Sequence, residues 1–255
     1  MKSIIATIIR TYEQGVIDQN FKGNFFEDKT ALLVTLLIAV SVVAYLIGSV
    51  NFAVIISKKL GTDVRDFGSG NAGATNMIRC FGKKVGIITM LLDGLKSSVA
   101  CIIGLLIYGV TGALVAGFFC IIGHAYPAYF KFKGGKGVAC MAAMVLITSP
   151  FVFLIMLAIY LSILFGFKMV SLSSIMSALI YPMIFSMVHG YGIQIIVALL
   201  CSLFVVFFHR KNLARIFYHE EPKINIFKNK KTKIEPQEVN LTDENSKEWM
   251  SSRAL

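Results

Sequence analysis

The feature that most limits how this chain can fold is its series of long apolar segments between Ala31 and His209. The first, from Ala31 to Ser57, is long enough to cross about 30 Å of hydrocarbon at about 1.5 Å per helical residue. Hydrophobic residues make up 56% of the chain and charged residues only 15%. A transmembrane barrel would instead show alternating strands of roughly ten residues. The pattern therefore predicts an all-α integral membrane protein.

Polar and glycine-containing breaks divide the apolar sequence into seven predicted segments. After the first segment come one from about Val85 to Val110 and one from Gly112 to about Phe130. Breaks at 149–150, 166–168 and 189–192 then divide residues 138–209 into four shorter segments, of which the first is marginal in length. The alternative merges the first two of these four into one broken or re-entrant element.

The distribution of positive charge favours seven crossings. Most of the 25 basic residues lie in the loops 58–84 and 131–136, at Lys168, and in the tail from Arg210. Seven crossings place these four regions on one side of the membrane, as positively charged cytoplasmic loops require. We therefore predict about seven transmembrane helices in the cell membrane, with the N-terminus outside, the C-terminus cytoplasmic and the polar loops facing the cytoplasm.

The predicted membrane domain, residues 31–221, has an extension at each end. In residues 1–30, apolar side chains from Ile4 to Tyr12 recur at helical spacing, which indicates a short amphipathic helix lying on the membrane. A signal peptide is less favoured, because no continuous apolar stretch precedes a small-residue cleavage site. Residues 222–255 are rich in Lys, Asn and Glu, and we expect them to be a largely disordered cytoplasmic tail.

A polar, glycine-rich stretch from Arg65 to Asn76 follows the first apolar segment. Glycine lets the backbone turn tightly, and exposed N–H groups in such a turn can form an anion-binding concavity. Arg65 adds a positive charge that matches phosphate. The glycines are Gly68, Gly70 and Gly73, and the neutral hydrogen-bonding side chains are Ser69, Asn71, Thr75 and Asn76. The stretch predicts a phosphate-binding loop at the membrane surface.

A second basic, glycine-rich turn contains Lys133, Gly134, Gly135, Lys136 and Gly137. It fails the P-loop pattern, which requires Ser or Thr where Gly137 stands. The first loop formally matches a dinucleotide fingerprint, but no strand–helix–strand context surrounds it. Each loop alone could be a simple tight turn between helices. Two such loops favour backbone amides and a cation presented to an anion.

The scarcity of carboxylates excludes several kinds of site. Asp93 is the only carboxylate between Asp66 and Glu220, so the bundle contains neither a carboxylate dyad nor a carboxylate-rich metal site. No cofactor or metal is predicted. Asp93 and Lys96 lie three residues apart on one helical face and can pair, which lowers the cost of burying both in a membrane. The pair could be purely structural or could orient a site.

Other polar residues stand at the ends of apolar segments. His124 lies close to the second loop, Ser49 lies near the end of the first segment, and His209 begins the basic stretch 209–215. On a helix, His209 and Asn212 would share one face. For each of these the structural alternative stays open: a hydrogen bond at a helix end, a helix-packing serine, and an ordinary basic stop-transfer end.

Three separated motifs together resemble those of the bacterial membrane acyl-phosphate:glycerol-3-phosphate acyltransferases, the PlsY family. They cover most of residues 45–221. The first combines Gly48-Ser49 with 65–76 and 92–96, the second combines 123–127 with 132–138, and the third combines 209–215 with Glu221. The sequence departs from the family pattern at Asn51, where the family usually has proline, and at Ala53, Ser97 and His219, where glycine is common.

The resemblance implies a seven-helix fold and transfer of an acyl group from acyl phosphate to the sn-1 hydroxyl of glycerol 3-phosphate. The products would be lysophosphatidic acid and phosphate, in the first acylation step of phospholipid synthesis. By the same resemblance, Ser49 and Arg65 match catalytic positions, His209 and Asn212 match active-site positions, the segment 134–137 binds glycerol phosphate, and Glu221 is structural. The implied partners are the two substrates, the bilayer and the enzyme that supplies acyl phosphate, and no nucleic acid.

The residues fit this chemistry without a metal, because acyl phosphate is already activated and phosphate can accept the hydroxyl proton. Ser49 as a covalent nucleophile is less favoured, since no His–Asp relay is visible beside it. The alternative function is a transporter for phosphate or an organic anion. Such a transporter often shows repeated halves or broken helices at the membrane midplane, and we find no internal repeat.

Overall fold

The computed structural model describes residues 29–190 and 192–224, the first three by their backbone. The predicted N-terminal amphipathic helix, and the predicted disordered tail from residue 225 onward, lie outside these residues. Within them, the regular structure is helical, including two short 3₁₀ helices, Val64–Asp66 and Ala128–Phe130. The α-helices are α1 (Lys29–Ser49), α2 (Phe52–Lys59), α3 (Ala74–Phe81), α4 (Lys83–Ala125), α5 (Val138–Thr148), α6 (Pro150–Phe167), α7 (Val170–His189), α8 (Ile193–Phe208) and α9 (Arg210–Phe217).

Helix α4 is a hairpin of two antiparallel arms. Its backbone leaves helical geometry at Tyr108 and at Gly109, where φ is 53° and ψ is −147°. Glycine adopts this conformation without the steric penalty that a side chain would add. Gly104 and Gly112 face each other across the turn so closely that a Cβ on either would clash with the carbonyl of the other. The two predicted segments therefore exist, with the break about two residues earlier than expected.

The other predicted breaks are also confirmed. Ser149 caps α6 by accepting a hydrogen bond from the Val152 N–H at 3.5 Å, and Pro150 occupies the first turn. Lys168 ends α6 with φ at 59°, and Gly190 ends α7 with φ at 76°. Helix α5 has only 11 residues, which agrees with its predicted marginal length.

The predicted class of all-α integral membrane protein is confirmed. Among the described residues, four helical segments are long and apolar enough to cross a membrane, and a fifth is added if α8 and α9, which meet at a 60° bend, count as one. This count takes the α4 hairpin as a single segment, although its arms run antiparallel. Many large apolar side chains on the outer helix faces are exposed, as lipid contact requires.

Small residues hold α1 against the second arm of α4. A Cβ on Gly48 would clash with the Cys120 carbonyl, and a Cβ on Gly123 would clash with the Tyr45 carbonyl. Close backbone approach of this kind is the usual way in which helices associate in membranes. A larger apolar core around Leu114, Met144 and Tyr181 joins α4, α5, α7 and α8.

The two ends of the bundle differ in chemistry. At one end, the Ile224 N–H donates to the Lys168 carbonyl at 2.7 Å, so the chain after α9 lies beside the start of α7. At the other end, His189 lies 2.9 Å from the Ser149 hydroxyl and Gln194 donates to Thr111 at 3.1 Å. The turns at this second end, 108–112, 149–151 and 189–194, contain no Lys, Arg, Asp or Glu. The polar, basic loops are gathered at the first end.

Candidate functional site

A cavity of about 350 Å³ opens at the basic end of the bundle. Four parts of the chain form its walls: the first glycine loop, the end of α4, the second glycine loop and the junction of α8 with α9. The lining residues are Ser69, Gly70, Asn71, Ala125, Tyr126, Phe132, Lys133, Gly134, Gly135, Lys136, Phe208, Arg210, Lys211, Asn212 and Arg215. The structure thus brings together parts of all three sequence motifs.

The lining of this cavity is strongly cationic. It contains five basic side chains and no Asp, Glu or His among the residues that form it. A concave surface with charge of one sign concentrates ligands of the opposite charge. The cavity is therefore suited to an anion with several negative charges, such as a phosphate ester.

A hydrogen-bonded chain fixes the polar groups on the α9 side. The Lys136 ammonium donates to Asn212 Oδ1, and Asn212 Nδ2 donates to Glu221 Oε1 at 2.8 Å. Glu221 also accepts from the Ser171 hydroxyl at 2.7 Å and from Arg215 Nε at 2.8 Å. Glu221 thus connects the start of α7 to α9, in keeping with the structural role that the family resemblance implies.

In this hydrogen-bonded chain of side chains, Lys136 and Glu221 have pKa values shifted from their ordinary values. Burial lowers the pKa of Lys136 to about 8, because the neutral amine is favoured away from water. Burial alone would raise the pKa of Glu221, but hydrogen bonds from Ser171, Asn212 and Arg215 outweigh it and hold that pKa below its usual value. Glu221 is therefore a carboxylate at neutral pH.

Asn76 shapes the first glycine loop from below. Its Oδ1 accepts from the Ser69 N–H at 2.9 Å, and its Nδ2 donates to the Val64 and Phe67 carbonyls at 3.0 and 2.9 Å. Gly68 has φ at 62°, and a Cβ there would clash with Asn76 Oδ1. Asn76 is buried beneath the loop, and Thr75, like Gly68, is not among the residues that line the cavity.

The glycines of the second loop serve close packing. The Gly134 and Gly135 N–H groups donate to the Ala125 and His124 carbonyls at 3.1 and 3.0 Å. A Cβ on Gly135 would clash with His124 Nε2 and would lie 2.7 Å from the Ala72 carbonyl oxygen. Gly137 has φ at 79° and caps the start of α5 outside the cavity lining.

Four of the loop amides expected to face an anion have partners within the protein. The amides of Ser69 and Gly70 donate to Asn76 Oδ1 and to the Phe67 carbonyl, and those of Gly134 and Gly135 are used as described above. These four amides are therefore not available to an anion, and the five basic side chains of the lining supply positive charge.

Ser49 and Arg65 lie beside the cavity and do not line it. Ser49 is fully buried; its hydroxyl donates to the Tyr45 carbonyl at 2.9 Å and accepts from the Ala128 N–H at 3.2 Å. Arg65 forms an ion pair with Asp63 and donates from Nη1 to the Phe130 carbonyl at 2.9 Å. Both residues join elements that carry the cavity walls.

His209 lies at the bend between α8 and α9, where it is buried and outside the cavity lining. Its Nδ1 lies 2.8 Å from the Val205 carbonyl oxygen, an arrangement that places the proton on Nδ1. Of the four residues matched to catalytic or active-site positions, only Asn212 lines the cavity.

The predicted pair of Asp93 and Lys96 is present and buried, with Nζ 3.0 Å from Asp93 Oδ1. Lys96 also donates to the Gly48 carbonyl at 2.9 Å and to the Val50 carbonyl, at the break between α1 and α2. His124 Nδ1 lies 3.1 Å from Lys96 Nζ and 3.5 Å from Asp93 Oδ1. This cluster anchors the helix break that carries Ser49 and lies next to the second glycine loop through His124.

Several cavity residues carried no functional prediction. Arg210 and Lys211 resemble an ordinary basic end of a membrane span, and Tyr126, Phe132 and Phe208 are single aromatic residues in a chain rich in phenylalanine. The spacing of the basic residues at 210, 211 and 215 was the only signal available. It could not show that the 60° bend between α8 and α9 places Asn212 against Lys136 of the second loop.

Comparison with known proteins defines the class. Residues 38–219 match the family model described as glycerol-3-phosphate acyltransferase. The chain is 41% identical over 191 residues to glycerol-3-phosphate acyltransferase 2 of Bacillus cereus, covering 74% of this chain and 96% of that protein. It is 40% identical over 195 residues to the glycerol-3-phosphate acyltransferase of Bacillus subtilis, covering 76% and 98%.

Two crystal structures are similar to this fold. Both are of PlsY, an integral membrane glycerol 3-phosphate acyltransferase, one in a glycerol 3-phosphate form and one in a lysophosphatidic acid form. Each is 34% identical and covers 74% of this chain, with TM-scores of 0.71 and 0.69 over 96% and 95% of the respective crystal chains. The helical bundle and its cationic cavity are thus those of an integral membrane acyltransferase. The chain belongs to the glycerol-3-phosphate acyltransferase family that includes PlsY.

Proposed function

We propose that this protein transfers a fatty acyl group from acyl phosphate to the sn-1 hydroxyl of glycerol 3-phosphate, giving lysophosphatidic acid and phosphate. The observation that carries the proposal is the cavity with five basic side chains and no carboxylate in its lining. Both substrates carry a phosphate group, and the relatives are named glycerol-3-phosphate acyltransferases. This reaction would be the first acylation of phospholipid synthesis.

The reaction needs little from the protein beyond positioning and charge stabilisation. The sn-1 oxygen attacks the acyl carbonyl carbon, and the bond from that carbon to the phosphate oxygen breaks. The phosphate leaves with the electron pair of that bond and takes the proton of the hydroxyl. Since the cavity lining has no Asp, Glu or His to accept this proton, the substrate's own phosphate is the acceptor. The basic side chains stabilise the charge that develops on it.

The predicted site residues have different roles, according to whether they line the cavity or lie behind its walls. Lys136 and Asn212 contact substrate, together with the basic cavity residues Arg210, Lys211 and Arg215 and with Ser69, Gly70, Asn71, Lys133, Gly134 and Gly135. Ser49 and Arg65 act as positioning residues, because their hydrogen bonds hold the cavity walls from behind. His209 is also a positioning residue, because its bond to Val205 fixes the end of α8 at the bend before α9. The remaining predicted residues shape or support these walls: Gly68, Thr75, Asn76, Asp93, Lys96, His124, Gly137 and Glu221.

We also propose how the protein lies in the membrane. The segments α1, the two arms of α4, α5, α6, α7 and α8 make seven crossings, with the N-terminus outside. The basic end, the cavity and the tail face the cytoplasm, as the positive-inside rule favours. The membrane domain covers 31–221, and the protein resides in the cell membrane, where it receives acyl phosphate from the enzyme that makes it.

The test uses the purified full chain in detergent with palmitoyl phosphate and glycerol 3-phosphate. We expect equal amounts of phosphate and lysophosphatidic acid, and no product when palmitoyl-coenzyme A replaces the acyl phosphate. Lys136→Met and Asn212→Ala should each lower kcat/KM for glycerol 3-phosphate, whereas Lys131→Met, a change outside the cavity lining, should not. Absence of both products in a folded preparation would overturn the proposed reaction.

A further inference from the structure

Asp63 and Arg65 form a clasp at the start of the first glycine loop. Asp63 Oδ1 accepts from the Arg65 N–H at 3.0 Å and from Nε at 2.9 Å, and Asp63 Oδ2 accepts from Nη2 at 2.6 Å. Two parallel bonds between a carboxylate and a guanidinium fix the plane of the guanidinium. One donor of Arg65, Nη1, is left pointing across to the second loop.

The base of this clasp is firmly attached. Val64, between the two partners, is fully buried in a small apolar core with Val54 and Met77. Its N–H donates to the Ser57 hydroxyl of α2 at 3.1 Å. Because Val64 is fixed, the backbone of Asp63 and Arg65 on either side of it is fixed as well, and Arg65 reaches its partners from a defined position.

Arg65 contacts the part of the second loop that most needs an external restraint. Lys131 and Phe132 are consecutive non-glycine residues with φ at 57° and 56°, a left-handed conformation that side chains disfavour. Arg65 Nη1 donates to the Phe130 carbonyl at 2.9 Å and to the Lys133 carbonyl at 3.3 Å. These two carbonyls lie on either side of the strained pair.

The restrained segment leads directly into the cavity wall. Phe132 and Lys133 line the cavity, and Lys136 follows three residues after Lys133. A shift of this segment would move two of the cationic side chains relative to Asn212. The hydrogen bond from Arg65 also makes the pKa of Asp63 lower than usual, so Asp63 is charged when the enzyme works at neutral pH.

We propose that Asp63 is a positioning residue for the acyl transfer and acts only through Arg65, which it aims at the second loop to hold Lys133 and Lys136 in place. The proposal rests on the proposed function for its kinetic consequence. Its structural content, that the clasp restrains residues 131–133, stands independently of the reaction.

The kinetic test compares Asp63→Asn with Asp66→Asn in the full chain. Asp66 is an exposed carboxylate at the end of the 3₁₀ helix that Asp63 caps, and it makes no side-chain hydrogen bond to Arg65 in the structure described, so it is the matched control. We expect Asp63→Asn to lower kcat/KM for glycerol 3-phosphate on the order of 10²-fold, as a misplacement of about 1 Å can. Asp66→Asn should behave like the wild type, and Asp63→Glu should restore part of the loss.

A double-mutant comparison tests whether Asp63 acts through Arg65. The variant Asp63→Ala/Arg65→Ala should be no less active than Arg65→Ala alone, since the two residues form one unit. Independent losses that multiply in the double variant would overturn the proposal.

Hydrogen exchange at the Phe132 and Lys133 amides tests the clasp without any reference to catalysis. We expect faster exchange in Asp63→Asn than in Asp66→Asn. Unchanged exchange would overturn the clasp whatever the kinetics, and faster exchange with wild-type kinetics would overturn its role in positioning. Failure of the wild type to make lysophosphatidic acid would overturn the proposed function and leave the exchange result to decide on the clasp.

Discussion

Lys136 shows how a single residue can combine burial with function. It is held by Asn212 at a site where burial, and then the charges of Arg215 and Arg79, increase the cost of its own charge. A phosphate in the cavity would offset that cost by pairing with the ammonium. Bound phosphate would therefore keep Lys136 charged to a higher pH than in the empty cavity.

The pKa of Lys136, lowered to about 8 by burial, predicts a specific pH dependence. The ammonium is present below that pKa and lost above it, so kcat/KM for glycerol 3-phosphate should fall as pH rises through about 8. Lys136→Arg keeps its charge at all these pH values, and its profile should lose this alkaline limb. Lys131→Arg, outside the cavity lining, is the control and should keep the wild-type profile. If kcat/KM of Lys136→Arg falls above pH 8 as it does in the wild type, the fall is caused by a group other than Lys136.

The buried cluster of Asp93, Lys96 and His124 has a structural role that can be measured. Lys96→Met would remove the ammonium that pairs with Asp93 and would leave the Gly48 and Val50 carbonyls without their donor. Breaking one partner of a buried pair costs about 3–5 kcal/mol, and we expect a loss of that size in the free energy of unfolding in detergent. The double variant Asp93→Asn/Lys96→Met should recover part of it. Lys59→Met, at an exposed site, should change little.

At the scale of elements, glycine decides where helices can meet. The hairpin of α4 brings Asp93 of its first arm to His124 of its second, 31 positions later in the chain, only because the arms touch at Gly104 and Gly112. The sequence revealed a break near Gly109 and Gly112. It did not show that the arms pack at backbone contact, because the glycines there could equally have served as flexible turns.

Gly104→Ala tests the packing of the hairpin. The added methyl group would clash with the Gly112 carbonyl, and overpacking of this kind costs about 1–3 kcal/mol. The expected result is a lower unfolding temperature together with lower activity, because the arms carry Asp93 and His124. Gly94→Ala is the control in the same arm, since its nearest neighbour would be Ala143 Cβ at 3.9 Å. Equal stability of the two variants would show that the arms can separate without cost.

At the scale of the whole molecule, the two ends of the bundle differ in charge, which predicts its orientation. With Cys80 replaced by Ser, a cysteine at Lys59 should react with a membrane-impermeant maleimide only from the cytoplasmic side. A cysteine at Ile193, at the start of α8, should react only from the outside. Both positions are exposed, and the four other native cysteines are buried. Labelling of both positions from the same side would contradict an odd number of crossings between them.

The sequence by itself determined the class of fold, the places where most helices end and the three motifs that belong together. It could do so because long apolar segments, proline, glycine and the pattern of charge act locally, within a few residues of where they stand. The family resemblance followed from the same local motifs, and the comparisons confirmed it.

Only the tertiary structure decided which motif residues face the cavity. Asn212 and Lys136 line it, whereas Ser49 and Arg65 stand behind it and bind an amide or carbonyls of neighbouring elements. His209 also lies outside the lining and bonds to Val205, one turn earlier in its own helix. These contacts join residues up to 79 positions apart in the chain. They depend on how closely α1, the α4 hairpin and α9 approach one another. The direction of a side chain relative to another helix is set by that packing, which no local pattern in the sequence specifies.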